Sequence, residues 1–141
     1  MKKEILETYN NETLKIEQFI EYLCRENHIH NYFGSVSVAL MSAVDLTKGK
    51  LNIIFQKDKK GIAFTIEAED KYFALLLEKT QTEDNSLFLI NNLSDEISVT
   101  QEGRVLTMSF YISGIVPELA LQRKELISAY SSYKQKKIQV L

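Results

Sequence analysis

The segment Leu51-Asn52-Ile53-Ile54-Phe55-Gln56-Lys57-Asp58-Lys59-Lys60-Gly61-Ile62-Ala63-Phe64-Thr65-Ile66-Glu67 carries the strongest pattern in this 141-residue chain. Leu51, Ile53 and Phe55 alternate with more polar neighbours, and Ile62, Phe64 and Ile66 do the same after a break. Successive side chains of a strand point to opposite faces, so each half predicts a strand with one apolar face. The break, Lys57 to Gly61, is polar and ends in glycine, the residue that most readily takes positive φ, so the two strands are expected to form an antiparallel hairpin.

A second hairpin is expected further on. Ile97 and Val99 alternate before the turn Gln101-Glu102-Gly103, and Leu106, Met108, Phe110 and Ile112 alternate after it. Helical spacing fills the rest. Asn10-Asn11 offers an N-cap to a helix with Ile16, Phe19, Ile20 and Leu23 on one face, ending near Asn27. From Tyr32 to Leu46, Val36, Ala39, Leu40, Ala43 and Val44 recur at helical spacing among small residues, which suits a helix lying flat on a sheet. Residues 3–9 predict a first strand, and Tyr72 to Lys79 and Ser86 to Leu93 predict two short helices. Past Pro117, Leu119, Leu126, Tyr130 and Tyr133 share one face of a last helix, with Lys134, Lys136 and Lys137 at its negative end. That stripe suits packing against the domain or across a homodimer contact.

The expected fold is therefore α+β, a two-layer α/β sandwich with a mixed, mostly antiparallel sheet. Strands 50–56, 61–67, 96–100 and 105–112 should share that sheet, and helices 12–26 and 33–46 should cover one of its faces. Length and composition agree with one domain over residues 1–141, since 45% of residues are hydrophobic and 26% charged. The net charge of −2 supplies no excess of cations for a nucleic-acid backbone. The longest apolar run, Tyr72 to Leu77, is far too short for a membrane span or the core of a signal peptide. A single cysteine, Cys24, forms no internal disulfide, and the expected compartment is the cytoplasm.

The order of elements and three local strings resemble the histidine-kinase-type ATPase family, in its branch of anti-sigma-factor serine kinases. Ala39-Leu40-Met41-Ser42-Ala43-Val44-Asp45 is similar to that family's Ala-Leu-x-Glu-Ala-Val-x-Asn helix. The hairpin from Leu51 to Glu67 is similar to the one that leads into its Asp-x-Gly-x-Gly box. Leu87-Phe88-Leu89-Ile90-Asn91-Asn92-Leu93-Ser94-Asp95-Glu96-Ile97 with Gly103-Arg104-Val105-Leu106 resembles its last helix, turn and strand. The resemblance covers residues 4–112 and leaves a C-terminal helix, 118–137, as an addition.

What the resemblance implies for a nucleotide site is a degraded one. The magnesium-binding Asn corresponds to Asp45, and the catalytic Glu to Ser42, whose hydroxyl takes up no proton near neutral pH. The adenine-reading Asp corresponds to Ala68, or to Asp70 in a register shifted by two, and neither register restores the glycines of the box, since the next positions are Lys71, Tyr72, Phe73 and Ala74. The glycine-rich lid is reduced to Asp84-Asn85-Ser86, an acid where phosphate would sit. Ser42, Asp45, Asp70 and Ser86 thus mark the positions of the former cofactor site. No cofactor is expected, and the expected role is regulation by binding another protein, such as a sigma factor or its antagonist. The alternative is an ATP- and magnesium-dependent serine kinase using Asp45 and Asp70 as substitutes.

Two other clusters stand outside that frame. Cys24, His28 and His30 have ligand chemistry, but Cys24 continues the apolar face of the first helix and no fourth ligand accompanies them. Lys57, Lys59 and Lys60 are placed for a phosphate contact, yet solvated turn lysines that blunt strand edges are the commoner use.

Overall fold

The computed structural model describes residues 2–58, 60–77, 85–112 and 124–129. Their strands form one five-stranded sheet in the order β1-β2-β3-β5-β4, and every pairing is antiparallel. These strands are β1 (Lys2–Tyr9), β2 (Lys50–Lys57), β3 (Gly61–Ala68), β4 (Glu96–Thr100) and β5 (Val105–Tyr111). The helices α1 (Thr13–Glu26), α2 (Phe33–Asp45) and α3 (Asn85–Leu93) supply the second layer, and residues 124–129 are also helical. The chain is thus an α+β two-layer sandwich, as the alternation of apolar residues requires: a sheet with one apolar face must cover it.

The core lies between that face and the helices. Leu51, Ile53 and Phe55 of β2, Ile62, Phe64 and Ile66 of β3, and Leu106, Met108 and Phe110 of β5 are buried together with Ile16, Ile20 and Leu23 of α1, and Val36, Leu40 and Val44 of α2. Pairing places Phe55 opposite Phe64, with ring centroids 5.4 Å apart, and Phe110 meets Phe64 edge-on at 6.4 Å. Tilted and edge-to-face contacts of this kind stabilise beyond the area they bury. The opposite face carries Asn52, Gln56, Thr65, Glu67, Thr107 and Ser109, all half-buried, with the Thr65 and Thr107 hydroxyls 2.9 Å apart.

Three local expectations are corrected. Gly61 is a glycine for space: its φ is not positive, and a Cβ there would collide with the Phe110 carbonyl oxygen of β5. Asn10 does not cap α1. The N-cap is Glu12, without a side-chain cap bond, while Asn10 exchanges bonds with the loop before β2: its Nδ2 donates to Thr47 O and its Oδ1 accepts from Gly49 N–H. The short helix expected over 72–79 is replaced, as far as Leu77, by a 3₁₀ turn, Ala74–Leu77. Phe73 dictates that outcome, because its side chain is fully buried and its N–H donates to Gly103 O.

Residues 124–129 place Leu126 and Ile127 against the core, and a Cβ on Gly34 would lie 3.3 Å from Ile127 Cδ1. Leu119, Tyr130 and Tyr133, expected on the same helix, lie outside the described residues, as do Lys59, Lys79 and Asp84.

Candidate functional site

α2 determines what the positions singled out by resemblance can do. Its sequence is small and apolar, so it packs closely, and Val36 and every residue from Val38 to Val44 are buried. Ser42 sits within that run, 1% exposed, and its hydroxyl donates to Val38 O at 2.7 Å. A Ser hydroxyl bonded back one turn is spent on its own helix. Asp45 is the last residue of α2 and is exposed, but it stands three residues past Ser42 where the resembled motif spaces its Glu and Asn by four, so that the Asn position itself is the half-buried Leu46. The helix dipole puts partial negative charge at this end, so a carboxylate here adds to a field that attracts cations and repels phosphate.

Asp70 lies two residues past β3, exposed, with Oδ1 accepting the Lys71 N–H at 2.7 Å and its carbonyl accepting the Tyr72 N–H. The segment it begins is docked on the turn between β4 and β5. Ala68 N–H donates to Arg104 O, Phe73 N–H to Gly103 O, and Lys71 Nζ lies 3.0 Å from Glu102. That lysine, by hydrogen bond and charge, holds the Glu102 carboxyl below its ordinary value. Gly103 has φ of 101°, and a Cβ on it would come within 2.8 Å of Ala74, so both conformation and space demand glycine. Ser86 is the second residue of α3, half-buried, on a helix that packs along α2.

The register Leu51↔Ala68 and the bond from Lys50 N–H to Glu69 Oε1 bring the chain leaving α2, the start of β2 and the end of β3 to one end of the sandwich. Asp45 and Asp70 belong to that end, whereas Ser42 is buried within α2 with its hydroxyl bonded to its own helix.

Sequence reasoning missed a cleft of about 430 Å³ at the opposite end of the open sheet face, lined by Asp58, Lys60, Gly61, Ile62, Glu96, Ser109 and Tyr111. Asp58 Oδ1 accepts the Lys60 and Gly61 N–H groups, and Lys60 Nζ stands 6.0 Å from the Tyr111 ring centroid. The Tyr111 hydroxyl is pushed up to about 12, first by its hydrogen bond to Glu96. Only the alternation of β5, which puts Ser109 and Tyr111 on one face, hinted at it.

Cys24 faces the core, and burial pushes its thiol up to about 11, so it is neither a thiolate nucleophile nor a ready ligand near neutral pH. Among the described residues, no group of three or more His, Cys, Asp or Glu could hold a metal ion, and no helix is long and apolar enough to cross a membrane. Comparison with protein-family models gave no match, and no curated protein matched the chain.

Proposed function

We propose that this chain is a cytoplasmic regulatory module that acts by binding another protein, with the layout of an anti-sigma-factor kinase domain and a site that no longer serves ATP. The observation that carries the proposal is the burial of Ser42 with its hydroxyl bonded to Val38 O. Where the resembled family places a catalytic acid facing nucleotide, this side chain is buried and bonded to its own helix. Phe73 adds to it: its fully buried ring anchors the segment after Asp70, in which the resemblance calls for glycines at the positions of Tyr72 and Ala74 to let adenine approach the backbone. Asp70 meanwhile accepts a bond from the next N–H of its own turn.

Protein recognition is supported by exposed apolar side chains on both sides, in sequence, of residues 78–84. Leu77 is 63% exposed and Phe88 46%. Large apolar side chains left in water are suited to the centre of a protein contact.

Titration calorimetry with ATP and magnesium is the direct test, and no saturable binding in the micromolar range is expected. Each lost hydrogen bond to a buried polar group costs about 1–3 kcal/mol, so two or three together weaken a micromolar site roughly a thousandfold. Micromolar binding abolished by Asp45→Ala would overturn the proposal in favour of the serine kinase. For the partner, a protein recovered by the wild type from its native cells should be lost by Leu77→Asp and Phe88→Asp.

A further inference from the structure

We infer that β1 is a self-pairing edge, joining two copies of this chain antiparallel about Ile5, with Lys3 of each opposite Glu7 of the other. This pairing uses none of the residues invoked for the proposed function. β1 is the outer strand of the sheet among the described residues, eight residues long, whereas the other edge, β4, has five. A long outer strand presents a row of unpaired backbone groups that another strand can use.

Backbone parity identifies which groups are offered. In an antiparallel ladder, residues alternate between pointing their N–H and C=O at the neighbour and pointing them away. Asn10 N–H bonds Gly49 O, continuing the β1–β2 register, so even-numbered residues of β1 face β2. Odd-numbered residues face outward, and two side-chain contacts agree. Tyr9 N–H donates to Glu12 Oε1, and the Glu7 carbonyl accepts from Lys15 Nζ, both from the α1 side of the edge. The Tyr9 N–H is thereby closed to a partner strand. The outward groups of Lys3 and Ile5 and the N–H of Glu7 remain, and the Glu7 carbonyl has a second lone pair beside Lys15.

The same odd residues put their side chains on the open face of the sheet, and Ile5 is 57% exposed there. Two antiparallel copies can pair outward groups only when odd meets odd. Centring on Ile5 sets Ile5 against Ile5 and places Lys3 opposite Glu7 on each side. Centring on Lys3 or on Glu7 would instead oppose two like charges. An attractive register with an apolar centre is therefore written into residues 3–7, and its two-fold symmetry closes the assembly as a dimer.

Sedimentation velocity of the full chain over a micromolar to near-millimolar series tests this. The wild type is expected to be a reversible dimer. Lys3→Glu and Glu7→Lys should each weaken it about tenfold or more, because two attractive cross-strand pairs become repulsive. The double swap should restore it. An equimolar mixture of the two single variants should form the heterodimer preferentially, because each cross-strand pair in it again joins a carboxylate to an ammonium. Both positions are exposed, so thermal melts of the variants should match the wild type at concentrations where the wild type is monomeric, and fall below it only where the wild type dimerises. A monomer throughout the series, a dimer unaffected by either single change, or a double swap as weak as the singles would overturn the assignment.

Discussion

Helices α1 and α2 pack side by side and differ by one residue in length, yet they stand in opposite relations to solvent. α1 buries a stripe of Ile16, Ile20, Leu23 and Cys24, with Phe19 partly buried beside it, and keeps its opposite face wet. α2 buries nearly everything from Val36 to Val44, because the sheet, α1 and α3 all lean on it. A polar side chain on α1 has a choice of environment; between Val38 and Val44 of α2 it has none. Whether a residue such as Ser42 can meet a ligand is thus decided by how many neighbours its helix has, before its chemistry matters.

The sharpest way to break that contrast is Ser42→Glu, which would reinstate the acid of the resembled family. If α2 is sealed, a carboxylate at this position has neither water nor partner, and stability should fall by about 3 kcal/mol or more in urea unfolding. A variant as stable as wild type would show that Ser42 opens to solvent. Truncation gives the next largest difference. Leu40→Ala in α2 should cost about 2–5 kcal/mol, while Leu14→Ala in α1, where the side chain is 66% exposed, should stay within about 0.5 kcal/mol.

Cys24 marks the inner border of α1, and pH reads its burial. Its thiol is raised from 9.0 to about 11 in the folded chain, so between those values the folded state holds a proton that the unfolded state releases. The associated stability is complete below pH 9 and is lost as pH climbs toward 11. Cys24→Val should flatten the early part of that decline in melts between about pH 8 and 10, before the raised tyrosines Tyr22 and Tyr111 begin to titrate. The smallest effect belongs to Ser42→Ala. Val38 O keeps its helical partner, and Ala is the better helix former, so the change should lie within about 1 kcal/mol of zero.

The elements were legible where their signal is local. The period of two in β2 and β3 and the helical spacing of Val36, Leu40 and Val44 need only the chain's own geometry to be read. The candidate site was legible only as a set of positions. Asp45 and Asp70 reach one end of the sandwich, but the burial of Ser42 and the anchoring of Phe73 depend on contacts the spacing does not encode.

Residue order alone required that a sheet with one apolar face be covered by helices, because alternation and helical spacing leave few other ways to remove so much apolar surface from water. What single residues do was settled by the packed molecule. Gly61 is required by a carbonyl of β5, Gly103 by Ala74, and Asn10 by the loop before β2 rather than by the helix it precedes. In each case the partner lies far along the chain. Backbone spacing is a local property, whereas contact between distant segments exists only once the sheet has set its register.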